Sequence, residues 1–145
     1  MQSTMTATRS MVIQADQARV WQAITEAAQI SQWFDGSMKW EFKPAAGETM
    51  TFYYDGKVIG YGKVVTAEPM DRFAFQWTPE PGNPTLSLVT FVLESVDDQG
   101  TRVTISETGF EALPEAVRQK RYEMNEMGWG ITLDHLTTYL ANEQA

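Results

Sequence analysis

Apolar and polar residues alternate along most of this chain, and the period of the alternation marks its elements. Ala7 to Gln14, within "TATRSMVIQ", reads as a first strand. The period then lengthens. Asp16 is placed to cap "QARVWQAI", because its side-chain oxygen can accept from the free amides of a first helical turn. Val20 and Ile24 fall four apart on that short helix. Thr25 is the expected cap of a second, "EAAQISQWF", where Ile30, Trp33 and Phe34 share a face at i, i+3 and i+4.

From there the period is two. "SMKWEF" sets Met38, Trp40 and Phe42 against Lys39 and Glu41, and "PAAG" turns the chain. In "TMTFYYDGKVIGYGKVV" Met50, Phe52 and Tyr54 alternate up to Asp55-Gly56. That pair predicts a tight hairpin, since both residues tolerate positive φ. "EPMDR" turns the chain again, and "FAFQW" puts Phe73, Phe75 and Trp77 on one face. The proline-rich "PEPGNP" loop leads to "LSLVTFVLESV", which carries Phe91, and "DDQG" leads to "VTISETGF". These make seven strands in mostly sequential hairpins, so the sheet is expected to be antiparallel.

After Ala112-Leu113-Pro114 the helical period returns and runs to about Asn142, with Pro114 near the first helical position. Tyr122, Trp129, Leu133, Leu136 and Leu140 occupy a narrow arc, while Met124, Met127 and Ile131 lie nearly opposite. The second group reads as packing under the short helices or as a partner surface, a homodimer face included. Gly128 and Gly130 each cost a helix interior roughly 1 kcal/mol relative to Ala, which predicts close packing beside Trp129. A curved seven-stranded sheet needs a cover for its apolar face, and this helix is the one element long enough. The predicted fold is α+β: a helix-grip domain spanning residues 1–145, with two short helices after the first strand and space between sheet and long helix.

Composition narrows the chemistry. The 145 residues suit one domain with a real core. There is no Cys and one His, so thiolate chemistry is excluded and neither a metal site nor another cofactor is expected. The net charge of −8 disfavours nucleic acid and anionic membranes. No run approaches a membrane span of roughly 18 apolar residues. The opening "MQSTMTATRSMVIQ" is not expected to act as a signal peptide, and a cytoplasmic location is expected. His135 stands next to Asp134, and neighbours on a helix do not face each other, so they form no dyad. No nucleophile elbow, phosphate loop or dinucleotide fingerprint is present, and no catalytic residue is assigned.

The chain resembles the START-like (SRPBCC) superfamily, in the branch of the activator of the 90-kDa heat-shock protein's ATPase. The resemblance rests on "VWQAIT", "ISQWF", "GKVVTAEPMDRFAFQW", "VTFVLE", "GTRVTISETGF" and "GWGITLDHLTTYL", whose order and spacing cover nearly the whole sequence. It implies an internal cavity for an apolar small molecule such as a sterol, lipid or polyketide. Some members are enzymes, some carry ligands and some act on the chaperone.

The candidate ligand-binding residues are Trp33, Phe34, Trp40, Phe52, Tyr54, Phe75, Trp77, Phe91, Glu107, Trp129 and Leu133. Trp33 and Phe34, before Asp35-Gly36, would form the mouth, and the sheet rings would be lining or plain core. Trp129 reads as packing the long helix on the sheet. Glu107 continues the apolar face of Val103 and Ile105. Either it is a polar anchor or acid/base bordering the cavity, or the strand bends before Gly109 and lets it reach water or a basic side chain. The leading expectation is a binder of a small hydrophobic or amphipathic molecule. The alternatives are an enzyme on an apolar substrate (cyclase, dehydratase or hydrolase type) and a regulator of a heat-shock chaperone ATPase.

Overall fold

The computed structural model describes residues 5–34, 38–77, 86–96 and 100–143. The Asp35-Gly36 turn, the whole "PEPGNP" loop and most of "DDQG" lie outside them. The chain runs β1 (Ala7–Ile13), α1 (Gln17–Thr25), α2 (Ala27–Trp33), β2 (Met38–Glu41), β3 (Thr49–Tyr54), β4 (Lys57–Glu68), β5 (Arg72–Trp77), β6 (Ser87–Ser95) and β7 (Thr101–Thr108). A short 3₁₀ turn, Phe110–Ala112, leads into α3 (Glu115–Glu143).

The seven strands form one antiparallel sheet in the order β1-β7-β6-β5-β4-β3-β2. The chain therefore begins at one edge and must cross to the other before the meander can start. Six inter-strand steps of about 4.8 Å make that crossing roughly 29 Å. The connection is α1 and α2, of 9 and 7 residues, joined through Glu26 in an extended conformation.

Sequence rules hold at most element ends. Asp16 caps α1, accepting from the Arg19 amide at 2.8 Å. Asp55 and Gly56 both take positive φ (52° and 76°), as the two-residue hairpin between Tyr54 and Lys57 requires. Thr25 differs from expectation. It is the last residue of α1, its hydroxyl donates to the Trp21 carbonyl at 2.6 Å, and Glu26 takes the capping position of α2. Pro114 sits just before α3, where its carbonyl accepts from the Val117 and Arg118 amides.

The core lies between the sheet and the helices. Phe73 and Phe75 on β5, Val89, Phe91 and Leu93 on β6, and Val103 and Ile105 on β7 are all buried. Trp129, Leu133, Leu136 and Leu140 of α3 are buried as well. The opposite side of α3 is open: Met124, Met127 and Ile131 are 48%, 65% and 52% exposed, so they do not pack under the short helices. The two helix glycines also differ. A side chain at Gly130 would press on the Arg9 guanidinium from β1, whereas nothing stands within 4 Å of the Gly128 position. Close approach explains the first glycine only.

Candidate functional site

Glu107 is fully buried on the α3-facing side of β7. The strand neither bends nor bulges there: Glu107 pairs with Ala7 on one side and Val89 on the other in unbroken register. Its carboxylate accepts four hydrogen bonds. Oε1 takes one from Trp129 Nε1 at 2.9 Å and one from Asn125 Nδ2 at 3.0 Å. Oε2 takes one from Trp77 Nε1 at 2.9 Å and one from Ser87 Oγ at 2.6 Å. A carboxylate offers about four lone-pair sites, so both oxygens are saturated. All four donors are neutral, and hydrogen bonds to a charged group are worth about 1.5–3 kcal/mol each, which offsets the cost of burying the charge.

This node ties β5, β6 and β7 to α3. It also fixes two tryptophans: the Trp77 and Trp129 rings stack with centroids 5.5 Å apart and planes 26° apart. Ser87 and Asn125 are absent from the sequence-derived set. Their signal was present in the pattern. Ser87 begins the apolar face of β6 and pairs across from Trp77, and Asn125 lies one helical turn before Trp129.

From the stack a layer of rings runs across the sheet toward β2. Phe34 is central, with ring centroids 4.8 Å from Trp40, 6.0 Å from Trp77 and 5.9 Å from Trp129. Trp40 lies 5.0 Å from Phe52 and 5.6 Å from Phe75. Phe91 meets Trp129 edge-on at 6.4 Å. Trp33 touches Phe34 at 5.8 Å, and its own N–H is taken by the Ala23 carbonyl at 2.8 Å. Phe34 and Trp77 are only partly buried, so the layer reaches the surface at these two rings. Phe52 is positioned by Gly62 on the neighbouring strand, where a side chain would collide with the Gln76 carbonyl and the Phe52 ring.

One polar atom in this layer stands apart. Trp40 is 1% exposed, and its Nε1–H has no hydrogen-bond partner among the described residues. A buried donor left unpaired costs about 1–3 kcal/mol.

Thus the structure brings together Trp33, Phe34, Trp40, Phe52, Phe75, Trp77, Phe91, Glu107 and Trp129. Tyr54 is not among them: it is 53% exposed beside the β3–β4 turn, beyond the register shift between Phe52 and Tyr53 in the β3–β4 pairing. Leu133 is buried and lines a different hollow of about 210 Å³, open to solvent between β1 and α3, with Arg9, Met11, Met127 and Ile131. His135 is exposed on α3, its Nδ1 3.2 Å from the Phe34 carbonyl oxygen. Among the described residues no group of three or more His, Asp or Glu side chains is placed to hold a metal ion, and no helix is long and apolar enough to cross a membrane.

A seven-stranded antiparallel sheet closed on one long helix, with rings and the Glu107 node between them, defines a START-like helix-grip domain. Residues 14–141 match the family described as Activator of Hsp90 ATPase homolog 1-like protein, and the chain belongs to that family. Among solved structures, an X-ray structure of a Mesorhizobium loti protein is 25% identical, covering 94% of this chain and 97% of that one with a TM-score of 0.78. The solution structure of an Aha1 dimer from Colwellia psychrerythraea is 19% identical over 91% of this chain and 92% of that one, TM-score 0.66. An HSP90 activator from Plasmodium falciparum is 15% identical over 74% of each chain, TM-score 0.62. The last two likenesses are of fold alone. No curated protein matches the chain.

Proposed function

We propose that this protein binds a small, mostly apolar molecule against the ring layer between the sheet and α3. The observation that carries this reading is the layer itself: rings from α2, β2, β3, β5, β6 and α3 converge and reach the surface at Phe34 and Trp77. Apolar walls with few placed polar groups are the usual composition of small-molecule sites. The geometry ranks binding above catalysis. Glu107, a carboxylate on this face, has its oxygens engaged by four structural donors from β5, β6 and α3, which supports a structural role for it over a catalytic one.

Native mass spectrometry after incubation with a hydrophobic naphthalene fluorophore tests the reading. A one-to-one adduct with quenched tryptophan emission is expected. Absence of both adduct and quenching at saturating probe would overturn it.

Family membership favours a second reading, regulation of a heat-shock chaperone's ATPase. The exposed Met124, Met127 and Ile131 of α3 offer an apolar surface for a protein partner, a second copy included. Stimulation of the host chaperone's ATPase by the purified protein, lost on Met127→Glu, would support it. An unchanged ATPase rate would remove it.

A further inference from the structure

Four of the five tryptophans can be compared by what their N–H groups meet. Trp33 donates to the Ala23 carbonyl, and Trp77 and Trp129 donate to Glu107. Trp40 Nε1–H has no acceptor among the described residues. Its position is not loose. The Trp40 amide donates to Ser31 Oγ at 2.8 Å, its carbonyl lies 3.3 Å from the same hydroxyl, and β2 pairs it with Phe52. The ring is then enclosed by Phe34, Phe52, Phe75 and Trp77. Three of these are hydrocarbon, and the fourth has one polar atom, a donor already committed to Glu107. No neighbouring ring carries an acceptor stronger than its π face, which is a second-order partner.

We infer that Trp40 Nε1 is a recognition group, and that the ligand supplies its missing acceptor as a neutral carbonyl oxygen on an apolar frame. This rests on the ligand-binding reading above and narrows its substrate class to ketones, quinones, esters and similar molecules. The acceptor is neutral for an electrostatic reason. Trp77 touches both Trp40 and Glu107, so an anionic ligand head would lie in the same dry layer as a buried carboxylate. A hydroxyl could also accept, but it would bring a donor of its own among rings whose one polar group besides the Trp40 N–H is the Trp77 N–H, a donor committed to Glu107.

The test compares two probes of matched shape, 2-acetylnaphthalene and 2-isopropylnaphthalene, which differ in one carbonyl oxygen. Trp40→Phe is expected to weaken the ketone roughly tenfold (about 1.4 kcal/mol) and to leave the hydrocarbon within about twofold. In the ¹H–¹⁵N spectrum of the wild-type protein, the Trp40 indole cross-peak is expected to move downfield with the ketone and not with the hydrocarbon. Equal losses for both probes, or an undisturbed ketone, would overturn the inference while leaving the binding site itself intact. If neither probe binds the wild-type protein, the binding reading fails and this inference with it. Should Trp40→Phe not fold, the wild-type spectrum decides alone: a Trp40 cross-peak that responds identically to both probes rejects the carbonyl contact.

Discussion

Trp129 and Trp40 are buried in the same layer of rings, yet their surroundings ask opposite things of them. At the β7 end, Glu107 collects four donors and leaves none of its own sites open. At the β2 end, the Trp40 N–H has no hydrogen-bond partner among the described residues, and the ring is packed against Phe52 and Phe75. The first region is a closed hydrogen-bond network that binds three strands to a helix. The second is a shaped apolar surface with one polar group unspent. A saturated polar network in a low-dielectric interior fixes structure, and it has no capacity left for a visitor. An unpaired donor in such an interior is unfavourable until something pairs it. The contrast sets a structural network at one end of the layer against the proposed recognition group at the other.

Breaking the closed end is expected to have the largest effect. Glu107→Leu strands two indole N–H groups, a hydroxyl and an amide. At about 1–3 kcal/mol for each unpaired donor, with partial relief by rearrangement, the loss is expected to reach about 3–5 kcal/mol in urea denaturation. Trp129→Ala, which removes a packed ring along with one of those bonds, is expected to cost about 3–5 kcal/mol as well. Glu107→Gln is a finer probe. Its amide nitrogen would point a donor at two donors, so a loss of about 1–3 kcal/mol is expected even though shape is kept. A Gln variant as stable as wild type would dissolve the contrast, because it would show that the carboxylate's acceptor sites are not needed.

The open end is expected to behave differently. Trp40→Phe removes a donor that has no partner, so the free protein is expected to keep its stability within about 1 kcal/mol. A loss comparable to that of Trp129→Ala would break the contrast, because the β2 end would then hold the fold as firmly as the Glu107 network does. The smallest effect is reserved for the outer side of α3, which neither region uses. Gly128→Ala meets no neighbouring atom and is expected to stabilise the protein by about 0.5–1 kcal/mol through helix propensity alone.

Much of this was legible in the chain. Period-two alternation with Asp55-Gly56 at a hairpin gave the sheet, and Asp16 gave the start of α1. Phe73, Phe75 and Phe91 face the core as their spacing requires. Glu107 faces α3, again as alternation demands, but alternation could not tell what it meets. That depends on Trp77, Ser87, Asn125 and Trp129, which lie 18 to 30 residues away and converge only when three strands and a helix are assembled. Tyr54 shows the opposite limit. Its position in the alternation is right for the inner face, yet the β3–β4 pairing shifts register between Phe52 and Tyr53, and the ring beyond that shift is exposed. Thr25 was misread for a local reason: Glu26 caps α2 through its extended backbone with no side-chain bond, and leaves no capping residue type to recognise. The unpaired N–H of Trp40 has no sequence signature at all, because it is defined by what its neighbours lack.

The most direct test of the division between the two ends is a ¹H–¹⁵N titration of the indole N–H groups with 2-acetylnaphthalene. The account predicts a saturable downfield shift at Trp40, a smaller ring-current shift at Trp77, and a Trp33 resonance that stays in place. Saturable binding that leaves the Trp40 resonance where it began would contradict it.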